Sequence, residues 1–417
     1  MGMDPVKVKE MNMPIEGGPL PGYPDVPYAQ SCSMDRCMAR AKEMMDWDSK
    51  YPCRDMGNGK VRGVGVAMAM QGSSIAGVDV GGADIKLNED GSYTLALGCT
   101  DMGTGCDTVM AQIAADCLNT PMDNIVVFSV DTDISPYDSG SYASATTYTT
   151  GVAVMKACEE LKKKICKLGA EMMEVDEGKV DFDGSCVFYD ETLEISDGAD
   201  GNAAGHMTDA EEGYSVDMDA ISSENAQKKV SLEDIALKST FFNNIELQVV
   251  KQHSSPISPP PFMVGMAEVE VDTETGSVDV LDYVAVVDCG TPINPNLARV
   301  QTEGGIAQGI GMALWEDVQY TDKGKIRNNS FMQYKIPTRQ DIGNIRVDFE
   351  CSYEKSGPFG AKSIGELVID TPCPALAEAI YNATGVRLTE LPMTPEKIAM
   401  EILKNRESIR SGTKVEE

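Results

Sequence analysis

The chain has 417 residues, 42% of them apolar, which is enough for two or three units with a real hydrophobic core. Asp and Glu number 66 against 35 Lys and Arg, a net charge of −31, so a phosphate backbone would be repelled and nucleic-acid binding is disfavoured. No apolar run approaches the roughly 20 residues of a membrane-spanning helix, the Met1-Gly2-Met3-Asp4 start lacks a basic-then-apolar leader, and the twelve cysteines suit a reducing cytoplasm.

Residues 1–60 read as a connecting segment broken by Pro and Gly, with one helix expected over Met34–Met45. Residues 61–168 read as a first lobe. There Asp84-Ile85-Lys86-Leu87 alternates, Glu89-Asp90-Gly91 turns and Tyr93-Thr94-Leu95 returns, which predicts a hairpin. Val109, Met110, Ile113, Ala114, Cys117 and Leu118 then share one 3.6-residue face. A second helix is expected over Gly151–Leu168, striped by Met155, Cys158, Leu161 and Ile165. Residues 169–240 are acidic and weakly patterned, above all Ser196–Asn225. So little apolar material cannot offset ordering entropy, and a surface excursion is expected.

Residues 241–417 read as a second lobe. Glu268–Val271 and Val278–Leu281 flank Asp272-Thr273-Glu274-Thr275-Gly276, a hairpin like the first. A Gly-rich helix is expected over Pro295–Trp315. A closing helix begins at Thr394-Pro395-Glu396, with a hydroxyl cap and Pro at its first position. Strands and helices are mixed rather than alternating, so the fold class is α+β. The likeness of the hairpins points to internal duplication.

The closest cysteine pairs, Cys32/Cys37 and Cys99/Cys106, lack the spacing of a zinc or iron–sulfur site. Two histidines, His206 and His253, are too few for a metal cage or a catalytic triad. Redox chemistry would therefore come from a bound cofactor or a partner. Four loops stand directly before helices, where backbone N–H groups can face an anion. Gly98–Gly105 is the first, although a tight strand-to-helix turn uses the same residues. Ser139–Gly151 carries seven Ser/Thr hydroxyls where a cap needs one, with local turns as the plainer account.

Gln301–Gly311 sets four glycines on a helix, at about 1 kcal/mol each against Ala, so a sheet or a ligand must approach closely. Gly357–Gly365 leads to one carboxylate, Glu366, followed by the apolar Leu367-Val368-Ile369. A carboxyl group in apolar surroundings keeps its proton to higher pH and can act as a general base; a solvated surface Glu is the plainer reading.

In order, the chain carries G-T-G, A-S-A-T-T-Y-T-T-G, D-C-G-T-P-I-N-P, Q-T-E-G-G-I-A-Q-G-I-G, N-S-F-M-Q-Y-K-I-P-T, G-P-F-G-A-K-S-I-G-E and L-P-M-T-P-E-K-I. This series resembles the molybdenum-binding subunit of the xanthine dehydrogenase/aldehyde oxidase family, from about Asp4 to Met400 apart from the acidic stretch. The resemblance implies a molybdopterin-binding domain of two intertwined α+β subdomains. It implies a molybdenum cofactor, as molybdopterin or its cytosine dinucleotide, with no side-chain ligand to the metal. The family's cofactor-binding positions fall on Gly103, Thr104, Gly105, Ala143, Ser144, Thr146, Thr147, Gln301 and Gly365, and its catalytic position on Glu366. By resemblance Glu366 is the base of an oxidative hydroxylation that takes its oxygen from water. The expected substrate is a purine or related N-heteroaromatic; aldehyde and nicotinate-type members share these loops.

Departures accompany the likeness. Thr104 stands where the family commonly has Gln, and Ala145 where many members have Arg. The G-G-x-F-G-x-K and R-x-F-G-x-P-Q segments of the family's first half do not occur, and Asp4–Asn12 resembles the stretch that follows that half. The chain therefore reads as a second half, completed by a first-half molybdenum polypeptide and served by iron–sulfur and FAD subunits. The reading from another class is a non-catalytic half that acts as a binding or assembly protein.

Overall fold

Two hairpins organise the chain, each extended by a helix and a parallel strand. The protein is described here by a computed structural model covering residues 2–20, 22, 25–129, 131–193 and 228–411. His206 and Ser196–Asn225, the heart of the acidic stretch, lie outside the described residues.

Short helices α1 (Pro5–Glu10), α2 (Met34–Met45) and α3 (Trp47–Lys50) lead into β1 (Cys53–Gly57) and β2 (Lys60–Met70). The first unit is β3 (Gly81–Leu87), β4 (Tyr93–Leu97), α4 (Cys106–Leu118) and β5 (Ile125–Phe128), followed by the long α5 (Gly151–Met173). Next come β6 (Val180–Phe182), β7 (Cys186–Tyr189), β8 (Lys229–Ser231) and α6 (Leu232–Leu237). After β9 (Gln248–His253), the second unit is β10 (Phe262–Asp272), β11 (Val278–Asp288), α7 (Pro295–Leu314) and β12 (Asn344–Phe349). Helices α8 (Leu367–Asp370), α9 (Pro372–Thr384) and α10 (Pro395–Ser411) complete the chain.

The two main sheets have the orders β5-β4-β3-β9 and β1-β2-β10-β11-β12. In both, an antiparallel hairpin is followed by a parallel partner, β4 with β5 and β11 with β12. The outer strand is exchanged. β9, beside the second hairpin in sequence, pairs with β3, whereas β2, beside the first, pairs with β10. The expected pair of intertwined α+β subdomains is thus realised by strand exchange, and the likeness of the hairpins extends to their topology.

In the first sheet Ala83, Ile85, Leu87, Tyr93, Leu95 and Leu97 alternate inward against α4 and α5. In the second, both faces are covered. Met263, Ala267 and Val269 face α7 and α9, while Phe262, Val264 and Met266 face α2 and Trp47. Helix α9 lies so close to β2 that a Cβ on Gly63 or Gly65 would stand 2.2 Å from the carbonyl oxygens of Ala379 and Ala375. The described ends of the acidic stretch are not purely surface. Val180, Phe182, Val187, Leu232, Ile235 and Ala236 are buried in the first core, because β6–β8 and α6 cover the far end of α5. Among the described residues, no helix is long and apolar enough to cross a membrane.

Candidate active site

The loops that precede α4, α5, α7 and α8 meet where the two lobes join. They enclose a cavity of about 280 Å³ that opens beside a second of about 490 Å³; both are lined by Thr104, Leu297, Gln301, Gly365 and Glu366. Its lining combines the hydroxyls of Ser141, Ser144, Thr146 and Thr147 with the apolar side chains of Val109, Ile293 and Leu297.

One turn is used twice. Ala143 and Ser144 take the left-handed conformation at φ +49° and +56°, and Phe359 and Gly360 do so at +49° and +85°. Each turn is followed by Ala, at Ala145 and Ala361. In the first lobe the chain then delivers Thr146 and Thr147, and in the second Lys362 and Ser363, all to the cavity wall. Two of the remaining hydroxyls are used elsewhere, Ser139 donating to the Val80 carbonyl and Thr150 to Asp138 at 2.8 Å, and Thr149 is buried away from the cavity lining.

The Gly103-Thr104-Gly105 loop is arranged differently from the anion nest its sequence suggests. Asp101 fills it: Oδ1 accepts from the Gly103 and Gly105 amides at 2.8 and 3.1 Å, and Oδ2 from the Asp107 amide at 3.4 Å. Burial alone would raise the Asp101 carboxyl, but these amides together with that of Thr104 hold it below the usual carboxylate range. Gly105 instead allows close packing, since a Cβ there would meet Leu297 at 2.7 Å. Ala143 supports from behind, its carbonyl accepting from the Ser74 amide at 3.0 Å.

Glu366 lies at the junction of the two cavities. Its backbone N–H donates to Ser144 Oγ at 2.9 Å, and that hydroxyl stands 3.3 Å from Glu366 Oε2. Gly365 makes room, because a Cβ there would lie 3.1 Å from Ser144 Oγ. The apolar enclosure expected from Leu367-Val368-Ile369 is absent: Leu367 and Val368 turn into the core, and Glu366 is exposed to the cavities. Gln71, at the end of β2, donates from Nε2 to Glu366 Oε2. The loop after it is fixed as well, with Ser73 Oγ accepting from the Ser363 amide at 3.0 Å.

Beneath the floor, Lys362 is buried and paired with Asp288 at 3.0 Å, donates to the Ser31 carbonyl at 3.1 Å and lies over the Phe262 ring. Asp288 also accepts from the Ser33 and Gly290 amides and from Ser352 Oγ. Among the described lining residues Lys362 is the single cation, and its charge is committed to Asp288. An anionic ligand would therefore be met by hydroxyls and by the start of the turn before α5, which has no side-chain cap, while the start of α4 is already taken by Asp101. The Cys289 thiol is pushed up to about 12 by burial and then by Asp288, so it is held neutral. The Ser141, Thr146 and Thr147 hydroxyls and the Gln301 amide, set among apolar side chains, suit an organic ligand rich in hydrogen-bonding groups, the chemistry of a pterin with its phosphate.

Of the residues picked out in the sequence, Thr104, Ser144, Thr146, Thr147, Gln301, Gly365 and Glu366 line the first cavity, and Gly103 lines the second. Gly105 and Ala143 act behind them. Sequence reasoning missed Gln71, Ser73 and the Asp288–Lys362 pair. The Q-G-S-S run that ends the apolar β2 was the available signal, but its partners lie some 290 residues away.

A sequence profile of the molybdopterin cofactor-binding domain matches residues 40–343. The chain is 33% identical over 380 residues to the probable hypoxanthine oxidase XdhD of Escherichia coli, covering 89% of this chain and 35% of that one. It is 28% identical to a xanthine dehydrogenase molybdenum-binding subunit of Escherichia coli, covering 95% and 49%. The chain thus spans a third to a half of the length of these relatives. Among solved structures, the CO dehydrogenase of Oligotropha carboxidovorans superposes with a TM-score of 0.76 at 21% identity, covering 97% of this chain and 49% of that one, a likeness of fold.

Proposed function

The chain belongs to the family of molybdopterin cofactor-binding domains, and from that premise we propose that it is the part of a molybdenum hydroxylase that carries the catalytic base, Glu366. The observation that carries the reading is the position of Glu366. It sits where the two cavities meet, held by Ser144 of the other lobe, with the hydroxyls of Ser141, Thr146 and Thr147 lining the same cavity.

Ser141, Thr146, Thr147, Gln301 and the apolar Val109, Ile293 and Leu297 would hold the cofactor, as molybdopterin or its cytosine dinucleotide. When bound, the cofactor supplies the two-electron oxidation that no side chain here can perform. The protein supplies the rest. Oε2 of Glu366 is engaged by Gln71 and Ser144, which leaves Oε1 to accept the proton released as a water-derived oxygen enters the substrate.

A purine or related N-heteroaromatic is the proposed substrate, in keeping with the hypoxanthine oxidase among the relatives. Assembly with a first-half molybdenum polypeptide is supported by the length of the relatives and by an arm of exposed apolar residues. In it Phe331 and Met332 are 81% and 85% exposed, with Val318, Tyr320, Ile326 and Ile336 nearby. Iron–sulfur and FAD subunits would carry the electrons away. The twelve free thiols fit the cytoplasm. Replacing Glu366→Gln in the native complex tests the reading: molybdenum content stays as in the wild type while turnover of hypoxanthine, xanthine or nicotinate falls at least about 100-fold. Turnover that persists would refute it.

A further inference from the structure

We propose that Gln71 is a positioning residue for the Glu366 carboxylate, fixing which of its two oxygens is left for proton transfer. This inference rests on the reading of Glu366 as the base.

Gln71 directly follows β2, whose last residue, Met70, pairs with Phe262 in the second lobe. The residues after it are fastened to both lobes. The Gly72 carbonyl accepts from Ser363 Oγ at 3.3 Å, Ser73 Oγ bonds the Ser363 amide, and the Ser74 amide donates to Ala143 at 3.0 Å. Ser74 itself is left-handed, at φ +73°, a conformation that these contacts hold in place. The Gln71 backbone is therefore set with respect to the Ser144 turn and the Glu366 loop together.

From that position its Nε2 donates to Glu366 Oε2, the oxygen that Ser144 Oγ also approaches. Two donors on one oxygen of an anion orient the carboxylate and leave Oε1 free. The reversed amide would set Gln71 Oε1 against the carboxylate, so the donor assignment follows from charge. Gln71 Oε1 is buried with no partner. Leaving an acceptor unmatched costs folding free energy. Of the two ends of its amide, the Gln71 donor is the one engaged, and it is engaged by Glu366. A residue that orients the base without touching substrate should act on kcat and leave stability and cofactor content alone.

The test compares Gln71→Met, Gln71→Asn and Glu366→Gln in the native complex, using whichever of hypoxanthine, xanthine and nicotinate the wild type turns over. Gln71→Met has similar length and no amide. It should keep its molybdenum and its thermal midpoint, and lose about 10- to 100-fold in kcat with KM within about threefold. Gln71→Asn, with its amide one methylene short, should fall between it and the wild type. A crystal structure of Gln71→Met should show the Glu366 carboxyl turned from its wild-type orientation, a readout that needs no turnover and decides the matter alone if no substrate is found.

Wild-type kcat and an unmoved carboxyl in Gln71→Met, with Glu366→Gln inactive, would overturn the role of Gln71 and leave the base assignment standing. An active Glu366→Gln would remove the base assignment and Gln71 with it. Loss of molybdenum or of folding in Gln71→Met would make Gln71 a structural residue and also overturn the proposal.

Discussion

The two lobes follow one chain path in different surroundings. The sheet of β3, β4, β5 and β9 is packed on one face, and Val126, Phe128 and Val250 remain exposed. The sheet of β2, β10, β11 and β12 is packed on both. Their loops differ in the same sense. After equivalent left-handed turns the first lobe presents the neutral hydroxyls of Thr146 and Thr147, and the second presents Lys362 and, four residues on, Glu366. A buried charge needs fixed partners, and the doubly covered sheet supplies them through Asp288, Ser31 and Ser33. Duplicated topology sets the geometry; burial decides which copy can carry charge.

The strongest way to break this comparison is to remove the charge. Lys362→Met should leave Asp288 buried without its cation and cost about 3–5 kcal/mol in urea unfolding, whereas Thr146→Val at the equivalent place in the first lobe should cost under about 1 kcal/mol. Equal losses would end the distinction. Close packing of the second lobe is tested by Gly65→Ala. Its Cβ would meet the Ala375 carbonyl at 2.2 Å, so a loss of about 1–3 kcal/mol is expected, read as a lower melting temperature.

Acid should loosen the first lobe at its edge. His253 on β9 is lowered to about 4, by burial first and then by Lys156, whose Nζ lies 2.9 Å from Nδ1. The unfolded chain then binds the proton more readily. The contribution is complete above about pH 6.5 and is lost as pH falls towards 4, amounting to on the order of 1–3 kcal/mol. His253→Gln should flatten the stability–pH curve in that window, and an unchanged slope would show that His253 is not its source. The smallest effect on stability belongs to Phe331→Ser with Met332→Ser. These should shift stability by under about 0.5 kcal/mol, yet weaken co-purification of the first-half polypeptide.

The elements were legible where burial follows one periodicity. The Tyr93–Leu97 strand alternates and the Val109–Leu118 face repeats at 3.6 residues, so each declared itself. The exchange of β2 and β9 was not legible, because alternation shows which face a strand buries and not which hairpin receives it. In the site, Ser144, Thr146 and Glu366 stood out through their loops, and Gln301 through the glycine-rich run that the structure places inside α7. The filling of the Gly103–Gly105 turn by Asp101 did not, since a glycine-rich loop reads alike whether its amides await a ligand or already bind a carboxylate. Gln71 was hidden because its partner is 295 residues away.

The measurement that tests the central claim most directly is metal analysis of the native complex isolated from its host through this chain. Molybdenum near one per chain, together with iron and a second polypeptide bearing the first-half loops, is the predicted result. A chain isolated alone and free of molybdenum would contradict the account.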